Sequence, residues 1–148
     1  MAEGRGVAIL VGAGDAIGAA VARRFAKGGY TVCICRRDAA KSPAPVDELK
    51  AAGLGAHAFS VDARQEAEVQ KLFADVENNI GPIEVCLFNA GSNINKPLLD
   101  TTEKLFFEAW ELACFAGFLG WPRSRSRHGS RRTRHDLLYR SYRQHSGR

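Results

Sequence analysis

The sequence predicts an α/β fold built on a doubly wound parallel sheet, and three observations carry this prediction. Short apolar runs with the composition of strands alternate with longer segments of helical periodicity. The first two apolar runs contain no charged residue, which is typical of strands covered by helices on both faces. A glycine-rich turn leads from the first run into the first helical segment, as in a β-α-β unit.

The first half of the chain supplies two strands and two helices. Val7–Val11 is the first predicted strand, and a helix opens near Gly18 and stops at Gly28. Thr31–Cys35 is the second strand, and a short helix closes at Gly53.

The second half continues the alternation. Ala56–Val61 is predicted as the third strand, an amphipathic helix follows, and Ile83–Phe88 is the fourth strand. A last helix is expected over Glu103–Phe118. Ligands of such parallel sheets lie at the carboxyl ends of the strands, so the residues that follow the strands are the candidate site.

Composition excludes several classes of protein. The 148 residues suffice for one modest domain, and no apolar stretch is long enough to span a bilayer. The N-terminus lacks a signal-peptide pattern, so we expect a cytoplasmic protein without a membrane partner. The four cysteines (Cys33, Cys35, Cys86 and Cys114) lie in apolar runs without a C-x-x-C pair, which predicts buried thiols and neither disulfides nor a metal site.

The net charge of +5 conceals two chemically different segments. Residues 121–148 contain nine arginines and one acidic residue, whereas residues 1–120 contain 12 basic and 15 acidic residues. An arginine-rich tail of this kind is compatible with nucleic-acid binding, although we favour another explanation, given below.

Three motifs carry a family resemblance. The turn from Val11 to Gly18 is similar to T-G-x-x-x-G-I-G, Asp62-Ala63 follows the third strand, and Phe88-Asn89-Ala90-Gly91 is similar to N-N-A-G. In this order and at these separations, they resemble the short-chain dehydrogenase/reductase family over roughly residues 7–118. The resemblance implies a Rossmann-like fold truncated to strands 1–4. It divides the chain into a partial NAD(P)-binding domain at 1–118 and a disordered or irregular tail at 119–148.

The resemblance also implies roles for residues that follow the strands. Asp62 and Ala63 would contact the adenine, and Asn89, Ala90 and Gly91 the ribose on the adenosine side. The pyrophosphate would lie on the turn and the helix N-terminus, at Gly12, Gly14, Asp15, Ala16, Ile17 and Gly18. Purely structural roles stay open: Asp62 as a strand-end turn residue, Asn89 as an amide that ties strands together, and the glycines as packing positions.

Charge at the end of the second strand indicates the cofactor. A carboxylate there would bind the ribose hydroxyls of NAD, but this chain has Arg36 and Arg37. A guanidinium binds a 2′-phosphate through charge-assisted hydrogen bonds of about 1.5–3 kcal/mol each, and 1.4 kcal/mol is a factor of about ten. We therefore expect NADP(H) to be favoured over NAD(H), unless the two arginines form a solvated loop.

The catalytic residues of the family are missing. Ala113 stands where the family has an asparagine, and neither Tyr139 nor Tyr142 has a lysine four residues on. No catalytic residue is predicted in this chain.

Hydride transfer between NADP(H) and a small carbonyl or alcohol substrate is expected of a full-length form. That full-length form is compatible with a homo-oligomer. The alternative is a non-catalytic nucleotide-binding or interaction protein; a nucleic-acid binder is less favoured.

The composition of the tail can be explained at the level of the coding DNA. With a suitable choice of synonymous codons, its shifted frame can encode a peptide that resembles the fifth strand of the family, which makes a frameshift our preferred hypothesis. As written, the chain would leave the fourth strand at an apolar edge of the sheet, and we expect poor solubility in consequence.

Overall fold

A single parallel sheet forms the centre of the molecule. The computed structural model describes residues 5–14, 16–39, 43–91, 94–125 and 135–138. Within them five strands pair in the order β3-β2-β1-β4-β5, all parallel. The strands are β1 Val7–Val11, β2 Thr31–Arg36, β3 Ala56–Ser60, β4 Ile83–Phe88 and β5 His135–Leu138. The predicted fold class is confirmed.

Helices connect the strands. They are α1 Ile17–Lys27, α2 Pro43–Ala51, α3 Glu66–Asn79, α4 Glu103–Trp110 and α5 Ala116–Arg125. A 3₁₀ turn at Leu98–Asp100 precedes α4, and a π-helical turn at Glu111–Phe115 joins α4 to α5 without a break. Among the described residues, no helix is long and apolar enough to cross a membrane.

The two faces of the sheet belong to two separate cores, because successive side chains of a strand point to opposite faces. Ile9 of β1 packs with Val76 of α3 on one face. Leu10 packs with Ala22 of α1 and Leu49 of α2 on the other. All five residues of β1 are buried, as expected for a strand covered on both sides.

The C-terminal part differs from the sequence expectation. Residues His135–Leu138 pair in parallel with Val85–Phe88, so β4 is an internal strand and not the apolar edge that we expected. The last helix also continues past 118 to Arg125, across the predicted boundary of the tail. The division into 1–118 and 119–148 stays a prediction, and the rest of the tail lies outside the described residues.

The cysteine prediction holds for two residues and fails for one. Cys33 and Cys35 are buried in β2, and Cys86 is partly buried in β4. Burial raises the pKa of the Cys33 thiol to about 12, which keeps it protonated at neutral pH. Cys114, which lies in the π-helical turn, is exposed.

Candidate active site

A cleft of about 540 Å³ opens at the carboxyl edge of the sheet, where the strands end. Loops that follow β1, β2, β3 and β4 contribute to its walls, together with one residue of the π-helical turn. Its lining consists of Val11, Gly12, Ala13, Gly14, Arg36, Arg37, Asp38, Val61, Ala63, Asn89, Ala90, Gly91 and Leu112. Eight of the predicted site residues thus meet in one cleft, as the topology requires.

The glycines of the turn allow close contacts that no side chain would permit. Gly12 has φ of +75°, and a Cβ there would overlap the backbone nitrogen of Ala90. A Cβ on Gly18 would lie 2.5 Å from the Cα of Ala13, so α1 packs directly on the turn. Nothing lies within 4 Å of the corresponding position on Gly14, which leaves open space in the cleft. Packing thus explains Gly12 and Gly18, whereas Gly14 keeps the cleft open.

The N-terminus of α1 adjoins this turn. The preceding Ala16 gives no side-chain hydrogen bond to the helix, and the first turn contains no acidic residue. Backbone N–H groups at such a helix end favour an anion. Ala16, Ile17 and Gly18 do not line the cleft, and Asp15 lies outside the described residues.

Two hydrogen bonds, one to a backbone carbonyl and one to a side-chain hydroxyl, hold the segment after β2. The N–H of Val61 donates to the carbonyl of Arg36 at 2.9 Å, and the N–H of Ala39 donates to the Oγ of Ser60 at 3.2 Å. Between these contacts lie Arg37 and Asp38, which line the cleft with Arg36. Asp38 was not predicted from the sequence, although its position two residues after the strand end was the available signal.

Asp62 faces Arg64 and does not line the cleft. The Nη2 of Arg64 lies 2.6 Å from Oδ2, its Nε lies 2.9 Å from Oδ1, and its backbone N–H donates to Oδ1 at 3.1 Å. The hydrogen bonds from Arg64 hold the pKa of the Asp62 carboxyl below its ordinary value, although partial burial opposes them. This geometry is that of a strand-end turn residue. Contact with adenine stays a prediction for Asp62, whereas Ala63 lines the cleft.

Asn89 ties the ends of β1 and β4 together. Its backbone N–H donates to the carbonyl of Val11 at 2.8 Å, and its Nδ2 donates to the carbonyl of Gly12 at 3.4 Å. Its Oδ1 is buried without a hydrogen-bond partner. Because a buried acceptor without a donor is costly, this oxygen suits a ligand hydroxyl in the cleft.

Leu112, in the π-helical turn, contributes an apolar side chain to the lining of the cleft, while the neighbouring Ala113 is exposed and has no polar side chain. Leu112 was not predicted as a site residue, and the π-helical turn that carries it has no clear sequence signature. No group of three metal-ligating side chains occurs in the part of the chain that the structure describes.

Comparison with known proteins agrees with this geometry. The family model described as short chain dehydrogenase matches residues 6–121. The chain belongs to the short-chain dehydrogenase family. The resemblance seen in the three motifs is therefore confirmed.

Individual relatives support the same family assignment. A short-chain dehydrogenase from Rhodopseudomonas palustris shares 42% identity over 80% of this chain and 56% of its own, with a TM-score of 0.76. A variant of the actinorhodin polyketide ketoreductase, solved with NADPH, shares 29% identity over 80% of this chain and 45% of its own, with a TM-score of 0.75. A hydroxynaphthalene reductase-like protein of Metarhizium robertsii is 32% identical over 76% of this chain and 42% of its own length.

The match covers only part of these relatives. The chain spans 32–42% of the length of the first curated relatives, and about half of the solved chains. What it shares with short-chain dehydrogenases is the half that contains the glycine turn and the cleft.

Proposed function

We propose that this chain binds NADP(H) in the cleft, as the cofactor-binding half of an oxidoreductase. The full-length form would transfer a hydride between NADP(H) and a small carbonyl or alcohol substrate. The observation that carries the proposal is the meeting of Gly14, Arg36, Arg37 and Asn89 around one open cleft. NADPH in the solved ketoreductase variant supports the choice of cofactor.

The residues present fit this cofactor. Open space beside Gly14 and the uncapped N-terminus of α1 suit a pyrophosphate. The unpartnered Oδ1 of Asn89 suits a ribose hydroxyl, and the arginines after β2 suit a 2′-phosphate. When bound, NADPH supplies the hydride. The residues of this chain bind and orient it, and Leu112 contributes an apolar side chain to the lining.

Replacement of Arg36 by aspartate tests the cofactor preference. Arg36→Asp removes a phosphate-binding cation and introduces a carboxylate, so the ratio of the NADH to the NADPH dissociation constant should fall at least tenfold. Titration of each dinucleotide by fluorescence measures this ratio. Arg24→Asp makes the same charge change at an exposed position of α1 and should leave the ratio unchanged. An unchanged ratio in Arg36→Asp refutes the preference for NADP(H).

The coding DNA tests the proposal for the full-length form. We infer that the arginine-rich tail arises from a shifted reading frame, because synonymous codons for it can encode, in that frame, a peptide that resembles the fifth strand of the family. Sequencing the codons for residues 116–148 from the source should reveal one base whose correction opens a frame through a Tyr-x-x-x-Lys helix. If the DNA confirms the reading frame of the sequence as written, a non-catalytic nucleotide-binding protein is favoured instead. A cytoplasmic location and a homo-oligomer stay predictions for the full-length form.

A further inference from the structure

Arg64 surrounds the carboxylate of Asp62 with donors at the end of β3. Oδ1 accepts from the backbone N–H of Arg64 at 3.1 Å and from its Nε at 2.9 Å. Oδ2 accepts from Nη2 at 2.6 Å and from the shared Nε at 3.2 Å. Because an ionised carboxylate has about four lone-pair sites, a donor from a ligand would have to displace Arg64.

The surroundings hold this pair in place. The backbone N–H of Asp62 donates to Oε2 of Glu68 at 2.7 Å, which fixes the end of the strand against α3. Hydrogen bonding to Asp62 raises the pKa of the Arg64 guanidinium, and the carboxylates of Glu111 and Glu108 act in the same direction. The side chains of Asp62 and Arg64 are only 21% and 30% exposed, so water weakens their contact less than it weakens a surface ion pair.

The residues next to Asp62 bring this pair close to the base of the proposed cofactor. Val61 and Ala63 both line the cleft, and the N–H of Val61 donates to the carbonyl of Arg36, at the end of β2, at 2.9 Å. The ribose that carries the 2′-phosphate also carries the base, so a phosphate at the end of β2 brings the base to the adjacent end of β3. The side chains of Val61 and Ala63 can pack on a purine but offer it no hydrogen bond.

The 6-position of the base therefore finds its nearest carboxylate already engaged. Adenine has an amino group there, which donates hydrogen bonds. This group is neutral, whereas Arg64 binds Asp62 through opposite charges and a bidentate contact, so Arg64 is the stronger partner. With the proposed function as its basis, we propose that Arg64 is a specificity-determining residue that keeps Asp62 from the base, so that the cleft binds dinucleotides of adenine and of hypoxanthine about equally.

Two dinucleotides that differ only at the 6-position test this inference. They are NADPH and its hypoxanthine counterpart, which has a carbonyl oxygen in place of the amino group. In wild-type protein, the two dissociation constants should agree within about threefold. Fluorescence titration of the full chain with each reduced dinucleotide measures the ratio of the hypoxanthine to the adenine constant.

Removal of the guanidinium should create a preference for adenine. In Arg64→Met, the Asp62 carboxylate is free to accept from the amino group and repels the carbonyl oxygen, so the ratio should rise about tenfold. Asp62→Ala in the Arg64→Met background should return the ratio to the wild-type value. A loss of stability alone would weaken both dinucleotides and leave the ratio unchanged.

An ion pair of similar geometry provides the control. Arg23 of α1 donates to Glu48 of α2 through Nε at 2.9 Å and Nη2 at 2.7 Å, and neither residue lines the cleft. Arg23→Met should therefore leave the ratio unchanged. A rise in Arg23→Met equal to that in Arg64→Met would contradict the role of Arg64.

The outcomes separate the two proposals. Wild-type protein that binds neither dinucleotide overturns the proposed function and this inference together. Wild-type protein that binds NADPH at least tenfold more tightly than the hypoxanthine form overturns this inference alone. An unchanged ratio in Arg64→Met, or a raised ratio that persists without the Asp62 carboxylate, does the same. Arg64→Ala provides the same measurement if the methionine variant does not unfold cooperatively.

Discussion

At the scale of single residues, the shape of the cleft depends on the close approach of the loops that follow β1 and β4. Gly12 and Ala90 lie in adjacent loops with no room for a side chain between them. The N–H of Gly12 also donates to the carbonyl of Cys35 at 2.8 Å, which holds the turn against β2. We therefore expect the lack of space around Gly12, more than its positive φ, to determine the effect of a substitution there.

Two alanine substitutions separate these contributions. Gly12 and Gly53 have nearly the same positive φ, +75° and +74°, but nothing lies within 4 Å of a Cβ on Gly53. Gly53→Ala should cost about 1–2 kcal/mol of unfolding free energy, from backbone strain alone. Gly12→Ala should cost clearly more and also weaken NADPH binding, because Ala90 must move. Denaturant unfolding and NADPH titration check both values; equal costs would contradict the steric argument.

The Asp62–Arg64 pair should make stability depend on acid pH. Since the folded-state pKa of Asp62 is lowered, its contribution is complete above the unfolded value of about 3.9 and is lost as the pH falls through the folded value. Asp62→Asn should therefore lower the melting temperature at pH 7, and its difference from wild type should shrink below pH of about 4. Asp75, which is exposed and 4.0 Å from Lys71, provides the control Asp75→Asn. A difference for Asp62→Asn that stays constant down to pH 2 would exclude this linkage.

At the scale of elements, β5 decides whether the sheet has an apolar edge. His135–Leu138 covers the open side of β4, whose residues Val85, Leu87 and Phe88 are buried. The four residues of β5 therefore pair with the side of β4 that we had expected to remain without a neighbouring strand.

Two deletions test the protection that β5 provides. Removal of residues 135–148 should expose the edge of β4, lower the melting temperature and increase aggregation on heating. Removal of residues 139–148 retains β5 and should change both quantities much less. Light scattering during a thermal ramp measures the difference. Similar behaviour of the two deletions would show that β5 does not protect β4.

At the scale of the whole molecule, the features that could be predicted from the sequence are those that depend on the periodicity of apolar residues. Alternation of apolar runs and helices identified the parallel sheet, and parallel topology then brought Gly12, Arg36 and Asn89 to one edge. Features that depend on tertiary context were missed. β5 has no apolar run, and the π-helical turn that contains Leu112 has no distinctive composition.

The central position of β1 has a consequence for synthesis on the ribosome. β1 and β2 emerge early and can pair at once, but Ile83, the partner of Val7 on its other side, is translated only later. Until then, a fully apolar strand offers an unpaired edge in the nascent chain. We expect chaperones that recognise extended apolar segments to bind nascent chains ending before Ile83 more strongly than those that include β4.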